Sequence, residues 1–102
     1  MGVLHLVSRS PGESLALSQC LGRAGEGDAL LLLEGGVYAA LKDSACAPWL
    51  HEAMAGIAVY ALGPDLAARG IAADEVLEGV VRVDYAGFVG LALSHSPIQS
   101  WF

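Results

Sequence analysis

Asp28-Ala29-Leu30-Leu31-Leu32-Leu33-Glu34-Gly35-Gly36 decides the architecture. Residues 29–33 form an unbroken apolar run with a charge at each end and two glycines beyond. The run is too short for an ordinary helix and lacks the alternation of a half-exposed strand, so it predicts a parallel strand buried on both faces. Such a strand needs neighbours on both sides and helices above and below it.

Working outward, the chain supplies them. Residues 3–7 form a short apolar run broken only by His5, and Ser10-Pro11-Gly12-Glu13 follows with a Ser N-cap, a Pro at the first helical position and a Glu at the capping-box position. This predicts a helix from there to about Arg23, ended by Gly22, Gly25 and Gly27. After the central run, residues 37–41 read as a short helical turn and Pro48 opens a helix through Met54. Ile57 to Leu62 is a third strand, and Gly63-Pro64-Asp65 turns it into a short helix that Gly70 stops. Val80 to Val83 is a fourth strand. Asp84 caps a final helix, with Val83 and Phe88 spaced as a hydrophobic staple and Phe88, Leu91, Ala92 and His95 on one face. The fold class is therefore α/β: a single small three-layer domain over residues 1–102, with a mostly parallel four- to five-stranded sheet flanked by helices.

Composition bounds the function. Of 102 residues, 55% are hydrophobic and 16% charged, with a mean hydropathy of +0.55, more apolar surface than so small a body easily hides, so cover by another subunit is expected. A net charge of −6 opposes direct grip on a phosphate backbone. No apolar run reaches the roughly 18 residues of a membrane span, and the opening residues lack a signal peptide's pattern, so a cytoplasmic location is expected. Two cysteines 26 positions apart make neither a disulfide framework nor a zinc ligand set.

Ligands of open α/β sheets gather beyond the carboxyl ends of the strands, here residues 8–12, 34–38, 63–65 and 84–85. The glycines at 22, 25 and 27 follow a helix and precede a strand, the reverse of a dinucleotide fingerprint, so they read as a helix terminator. No Walker sequence or nucleophile elbow is present. His5, His51 and His95 lack metal-ligand spacing. His5 reads as a hydrogen-bonded core or strand-end histidine, and His95 suits the negative end of its helix. Glu34 reads as a turn cap, with an acid or base role as the sharper alternative.

Cys20 carries two readings. With Leu17 at the centre of the apolar face, Cys20 falls about 60° off it at roughly 100° per residue, on the border. There it is either a small buried hydrophobe or a thiol exposed enough to accept sulfur, its pKa lowered by Arg23 one turn on. Cys46 lies in a predicted loop with acidic neighbours that do not favour a thiolate.

Leu4-His5-Leu6-Val7-Ser8-Arg9-Ser10-Pro11, the run from Leu30 to Ala40, the run from Val59 to Gly70, Val83-Asp84-Tyr85-Ala86-Gly87-Phe88-Val89 and Gln99-Ser100-Trp101 together resemble the TusB/DsrH family across essentially the whole chain. Gly35 departs from the pattern, which places an acid before the second glycine. The resemblance implies one subunit of a cytoplasmic sulfurtransferase complex, a dimer of heterotrimers. Its partners would be two related small α/β subunits, TusC/DsrF-like and TusD/DsrE-like, and a TusE/DsrC-like sulfur carrier. It implies no direct nucleic-acid or membrane contact, no metal and no cofactor beyond a carried cysteine persulfide, with the principal catalytic cysteine on another subunit. The sulfur would serve wobble-uridine 2-thiolation of tRNA in the Tus branch or sulfur oxidation in the Dsr branch. Cys20 matches a cysteine of Dsr-type members, which leans towards that branch and makes Cys20 a candidate auxiliary sulfur acceptor. The rival readings are a purely structural assembly subunit and a stand-alone small-molecule binding module. A homodimer is open to the chain when it is made alone.

Overall fold

The computed structural model describes residues 2–102. Five strands, β1 (Leu4–Val7), β2 (Ala29–Leu32), β3 (Ala58–Leu62), β4 (Val81–Val83) and β5 (Ile98–Trp101), form one sheet in the order β4-β3-β2-β1-β5, every pair parallel. Between them lie α1 (Ala16–Arg23), a 3-10 helix (Glu34–Ala40), α2 (Ala47–Ala53), α3 (Gly63–Ala68), a 3-10 turn (Ala73–Glu75) and α4 (Tyr85–Ser94).

The strand order dictates where the helices go. From β1 to β4 the chain steps one strand at a time in one direction, and right-handed crossovers then place all the intervening helices on one face. From β4 to β5 it returns across the whole sheet, so α4 alone lies on the other. The packing agrees. Val7, Leu30, Leu32, Val59 and Ala61 point into the larger core with Leu17, Val37, Leu50 and Leu66, whereas Leu4, Ala29 and Leu31 point the other way, under Phe88, Leu91 and Ala92. All four residues of β2 are buried, as its unbroken apolar run requires. Each fully buried Leu there stabilises the fold by about 1.5–3 kcal/mol.

Three sequence expectations need correction. The first helix begins at Ala16, not at Ser10: Ser10 heads a tight turn, its carbonyl accepting from Glu13 N–H at 2.9 Å. Gly12 and Ser14 are weak helix formers, and Ser14 Oγ accepts from Ala16 N–H at 3.0 Å, which restarts the chain. The helical turn expected at 37–41 is a longer 3-10 segment starting at Glu34. The chain also ends in a strand rather than a helix. β5 alternates Ile98 and Ser100 against Gln99 and Trp101 at an open edge, so it has no apolar run to announce it. The Asp84 cap is present, its Oδ1 accepting from Gly87 N–H at 2.8 Å.

Close approach to backbone fixes Gly36. A Cβ on Gly36 would lie 2.1 Å from the Val7 carbonyl oxygen, at the point where the 3-10 helix crosses the end of β1. Gly36→Ala is expected to lower unfolding stability by at least the 1–3 kcal/mol that overpacking costs, roughly. Urea denaturation checks it, with Gly22→Ala, which has open space around the new methyl, as the tolerated control.

Candidate functional site

Two places carry chemistry, a buried polar relay beneath α1 and the carboxyl ends of the strands. In the relay, Asp28 follows the glycine turn and precedes β2. Its carboxylate accepts from Val3 N–H at 2.9 Å, from Gly25 N–H at 3.0 Å and from His5 Nε2 at 2.8 Å. Trp101 Nε1 donates to His5 Nδ1 at 3.1 Å. These contacts select the His5 tautomer with its proton on Nε2. His5 is therefore a hydrogen-bonded core histidine, as its position in the strand suggests, and its imidazole joins β5 to the start of β2.

Burial pushes the Asp28 carboxyl up, but the hydrogen bonds from Gly25, His5 and Val3 and the attraction of His5 outweigh it and hold the pKa at about 2, below the ordinary 3.8. Nothing in the sequence marks this role beyond an acid between a glycine turn and an apolar run.

Cys20 sits above this relay and is completely buried. The buried residues of α1 are Ala16, Leu17 and Cys20, so at about 100° per residue Cys20 lies in the middle of the packed face, not on its border. Leu21 and Ala24, which lie within about 40° of Leu17 at about 100° per residue, are only half-buried. Burial, with the Asp28 charge beside it, pushes the Cys20 thiol from 9.0 up to about 12. Arg23 is exposed and gives no opposing pull. In this conformation Cys20 is a protonated, enclosed thiol. Cys46 lies in a turn, as expected, but is also buried, at the floor of an apolar pocket of about 300 Å³ walled by Leu15 and Trp49.

At the strand ends, Glu34 takes a left-handed backbone conformation (φ 49°), uncommon outside glycine, and its N–H donates to Asp65 Oδ2 at 2.6 Å. Glu34 thus heads the 3-10 helix while its side chain stays exposed. A Cβ on Gly35 would meet Ser10 N at 3.1 Å, so an acid there would require the β1 loop to give way. Arg69 lies over the Tyr38 ring at 5.9 Å. Further along the edge an open cleft is lined by Gly63, Pro64, Arg82, Asp84 and Gly87, with Arg82 donating to the Gly63 carbonyl at 3.3 Å. The structure does not bring these groups together with Cys20, which lies under α1. Among the described residues no group of three His, Cys, Asp or Glu is placed to hold a metal. Among the described residues no helix is long and apolar enough to cross a membrane.

The sequence matches the model of the DsrH like protein family over residues 9–98. The chain belongs to the DsrH/TusB family. It is 40% identical over 101 residues to the protein TusB of Shigella flexneri, an alignment covering 97% of this chain and 100% of that one. The Escherichia coli O139:H28 protein TusB is 39% identical over the same length. Among solved structures, a protein of unknown function from Methanobacterium thermoautotrophicum, MTH1491, superposes with a TM-score of 0.80 at 16% identity, covering 96% of each chain. The ychN protein from E. coli does so at 0.79 and 18%, covering 98% of this chain and 99% of that one. At such low identity these two bear on the fold alone.

Two outcomes are expected. Because the folded chain keeps Asp28 ionised to about pH 2 while the unfolded chain protonates it near 3.8, its contribution is complete above about pH 5 and is lost as pH falls from there towards 2. Denaturant titrations across that range should show a steeper acid loss for the parent than for Asp28→Asn. Ellman's reagent should label neither thiol of the native chain within minutes and both after unfolding, and rapid native labelling of Cys20 would contradict the enclosed geometry.

Proposed function

We propose that this chain is a subunit of a sulfur relay serving 2-thiolation of tRNA, and that it contributes by assembly rather than through a thiol of its own. The observation that carries the reading is full-length similarity, at 40% identity, to proteins named TusB. It favours thiolation over the sulfur-oxidation branch towards which Cys20 leaned. The partners of this reading are two related small α/β subunits and a small sulfur carrier, working as a dimer of heterotrimers in the cytoplasm, with a cysteine persulfide as the carried species.

The alternative role, Cys20 as auxiliary acceptor, has a definite chemical requirement. The Cys20 thiolate would attack the outer sulfur of a donor persulfide, forming Cys20–S–SH and releasing the donor as a thiolate. A thiol held at about 12 and covered by α1 does not supply that nucleophile unless the helix lifts from the sheet. The geometry therefore favours the assembly role.

The test is a deletion strain of the native host in which 2-thiouridine in tRNA is quantified by mass spectrometry. Deletion should remove most of the modification, and both the parent gene and Cys20→Ala should restore it. Full thiolation in the deletion strain would sink the relay reading. A stable Cys20→Ala protein that fails to restore thiolation would instead make Cys20 the acceptor.

A further inference from the structure

The connections out of the sheet do not all leave on one side. The segments after β1, β2 and β3 pack on one face, through Leu17, Val37, Leu50 and Leu66, whereas the helix after β4 packs on the other. β3 and β4 are neighbours in the sheet, so their outgoing chains part in opposite directions and a crevice opens between them. In an open parallel sheet that is where ligands bind. The crevice here has a volume of about 580 Å³, within the range of small-molecule sites. Gly63 and Pro64 wall it beyond β3, and Arg82, Val83, Asp84 and Gly87 wall it on and beyond β4.

Its two charged side chains are both unpaired. Arg82 Nη2 donates to the Gly63 carbonyl at 3.3 Å. A Cβ on residue 63 would stand 2.8 Å from Arg82 Nε and 3.2 Å from the Val83 carbonyl oxygen. Glycine at 63 therefore lets the guanidinium lie against the backbone at the end of β3, with other N–H groups left to donate into the crevice. Asp84 follows two residues on with extended backbone (ψ −174°), which puts its side chain on the same side of the chain as that of Arg82. Its Oδ1 accepts from Gly87 N–H, and among the described residues its Oδ2 accepts no hydrogen bond. The only ion pair among those residues is His5 with Asp28, so Arg82 and Asp84 share a wall without neutralising each other.

Charge then selects the ligand. A simple anion on Arg82 meets Asp84 and a chain of net charge −6, and a simple cation on Asp84 meets Arg82. A molecule carrying both a carboxylate and an ammonium satisfies the two together. Its carboxylate takes paired N–H bonds from the guanidinium, and its ammonium donates to Asp84 Oδ2. We propose that the crevice between the ends of β3 and β4 is a binding site for a free α-amino acid. Pro64 and Val83 complete the wall with apolar surface, which suits an uncharged, apolar side chain. Both charged contacts are made in an open cleft where water screens them, which puts the affinity in roughly the millimolar range. The inference does not depend on the sulfur-relay reading, because the crevice follows from the strand order and lies apart from Cys20.

Nuclear magnetic resonance on the full nitrogen-15-labelled chain, titrated with L-leucine to about 20 mM, tests it. Saturable shifts are expected at the amides of Gly63, Val83 and Gly87 and at Arg82 Nε–H, and none at Gly25 or Gly27, before the amino end of β2. N-acetyl-L-leucine, which lacks the ammonium, and L-leucinamide, which lacks the carboxylate, should each bind at least tenfold more weakly. Arg82→Gln and Asp84→Asn should weaken L-leucine binding by the same factor. Both variants should remain folded by circular dichroism, since residue 82 is exposed on an edge strand and Asn caps a helix as well as Asp does. Crevice resonances that stay in place, or shift without saturating, would overturn the proposal. So would folded variants that bind like the parent. Binding of N-acetyl-L-leucine as tight as that of L-leucine would also overturn it, by making the crevice a site for anions alone. None of these results bears on thiolation in the deletion strain, so the two readings fail separately.

Discussion

The carboxylate of Asp28 is the group on which the rest of the chain depends. It gathers donors from three separate segments, the backbone before β1, the imidazole within β1 and the glycine turn after α1. Through His5 it also reaches Trp101 on β5. One acid thereby sets the entry of β2 against β1 and secures the strand on the other side of β1. A nonpolar residue at 28 could pack, but it would leave the part-buried Val3 amide and the His5 Nε2–H without their acceptor at the edge of the core, where each lost partner is expensive. Asp28 also has a chemical effect on its surroundings. The negative charge that organises the strands helps keep the neighbouring Cys20 thiol protonated. In this chain the interaction that orders the fold works against nucleophilic sulfur at the same spot.

The two faces of the sheet follow a different logic. Stepwise connections from β1 to β4 close one face thoroughly, and the single return to β5 closes the other sparsely. The 55% hydrophobic composition is thus not spread evenly over the surface. Much of the excess sits on and beside α4, where an uncharged helix faces outward, while the strand-end edge carries Glu34, Asp65, Arg69 and Asp84. A polar edge and an apolar face on one small body suit a component that meets proteins on one side and leaves its crevice side wetted.

How much was legible in the sequence differs by element. β2 announced itself because burial on both faces leaves only apolar residues to choose from, and α4 because Asp84 is a side-chain cap with a donor in reach. β5 did not, since an edge strand can afford Gln99 and Ser100. The start of α1 was misplaced because Ser10-Pro11 carries a capping signature that a turn satisfies equally well. Cys20 moves from the border to the middle of the packed face for a separate reason: judging which side of a two-turn helix faces inward requires knowing what it packs on, and α1 packs on β1 and on β5, which has no apolar run to announce it. The relay of Trp101, His5 and Asp28 was invisible for a related reason, as it joins residues 96 apart in the chain.

That separation also orders events in time. β1 is made before the other strands, yet one of its two neighbours, the donor to its histidine and the helix over one of its faces all come from residues 85–101. At about 5–20 residues per second, roughly 5–20 s of synthesis pass before these arrive. Throughout that interval β1 presents a bare backbone edge and the Leu4, Ala29 and Leu31 surface to whatever else is folding nearby. The nascent chain is therefore open to wrong pairing until β5 has been made, and that strand acts as the latch that ends the hazard.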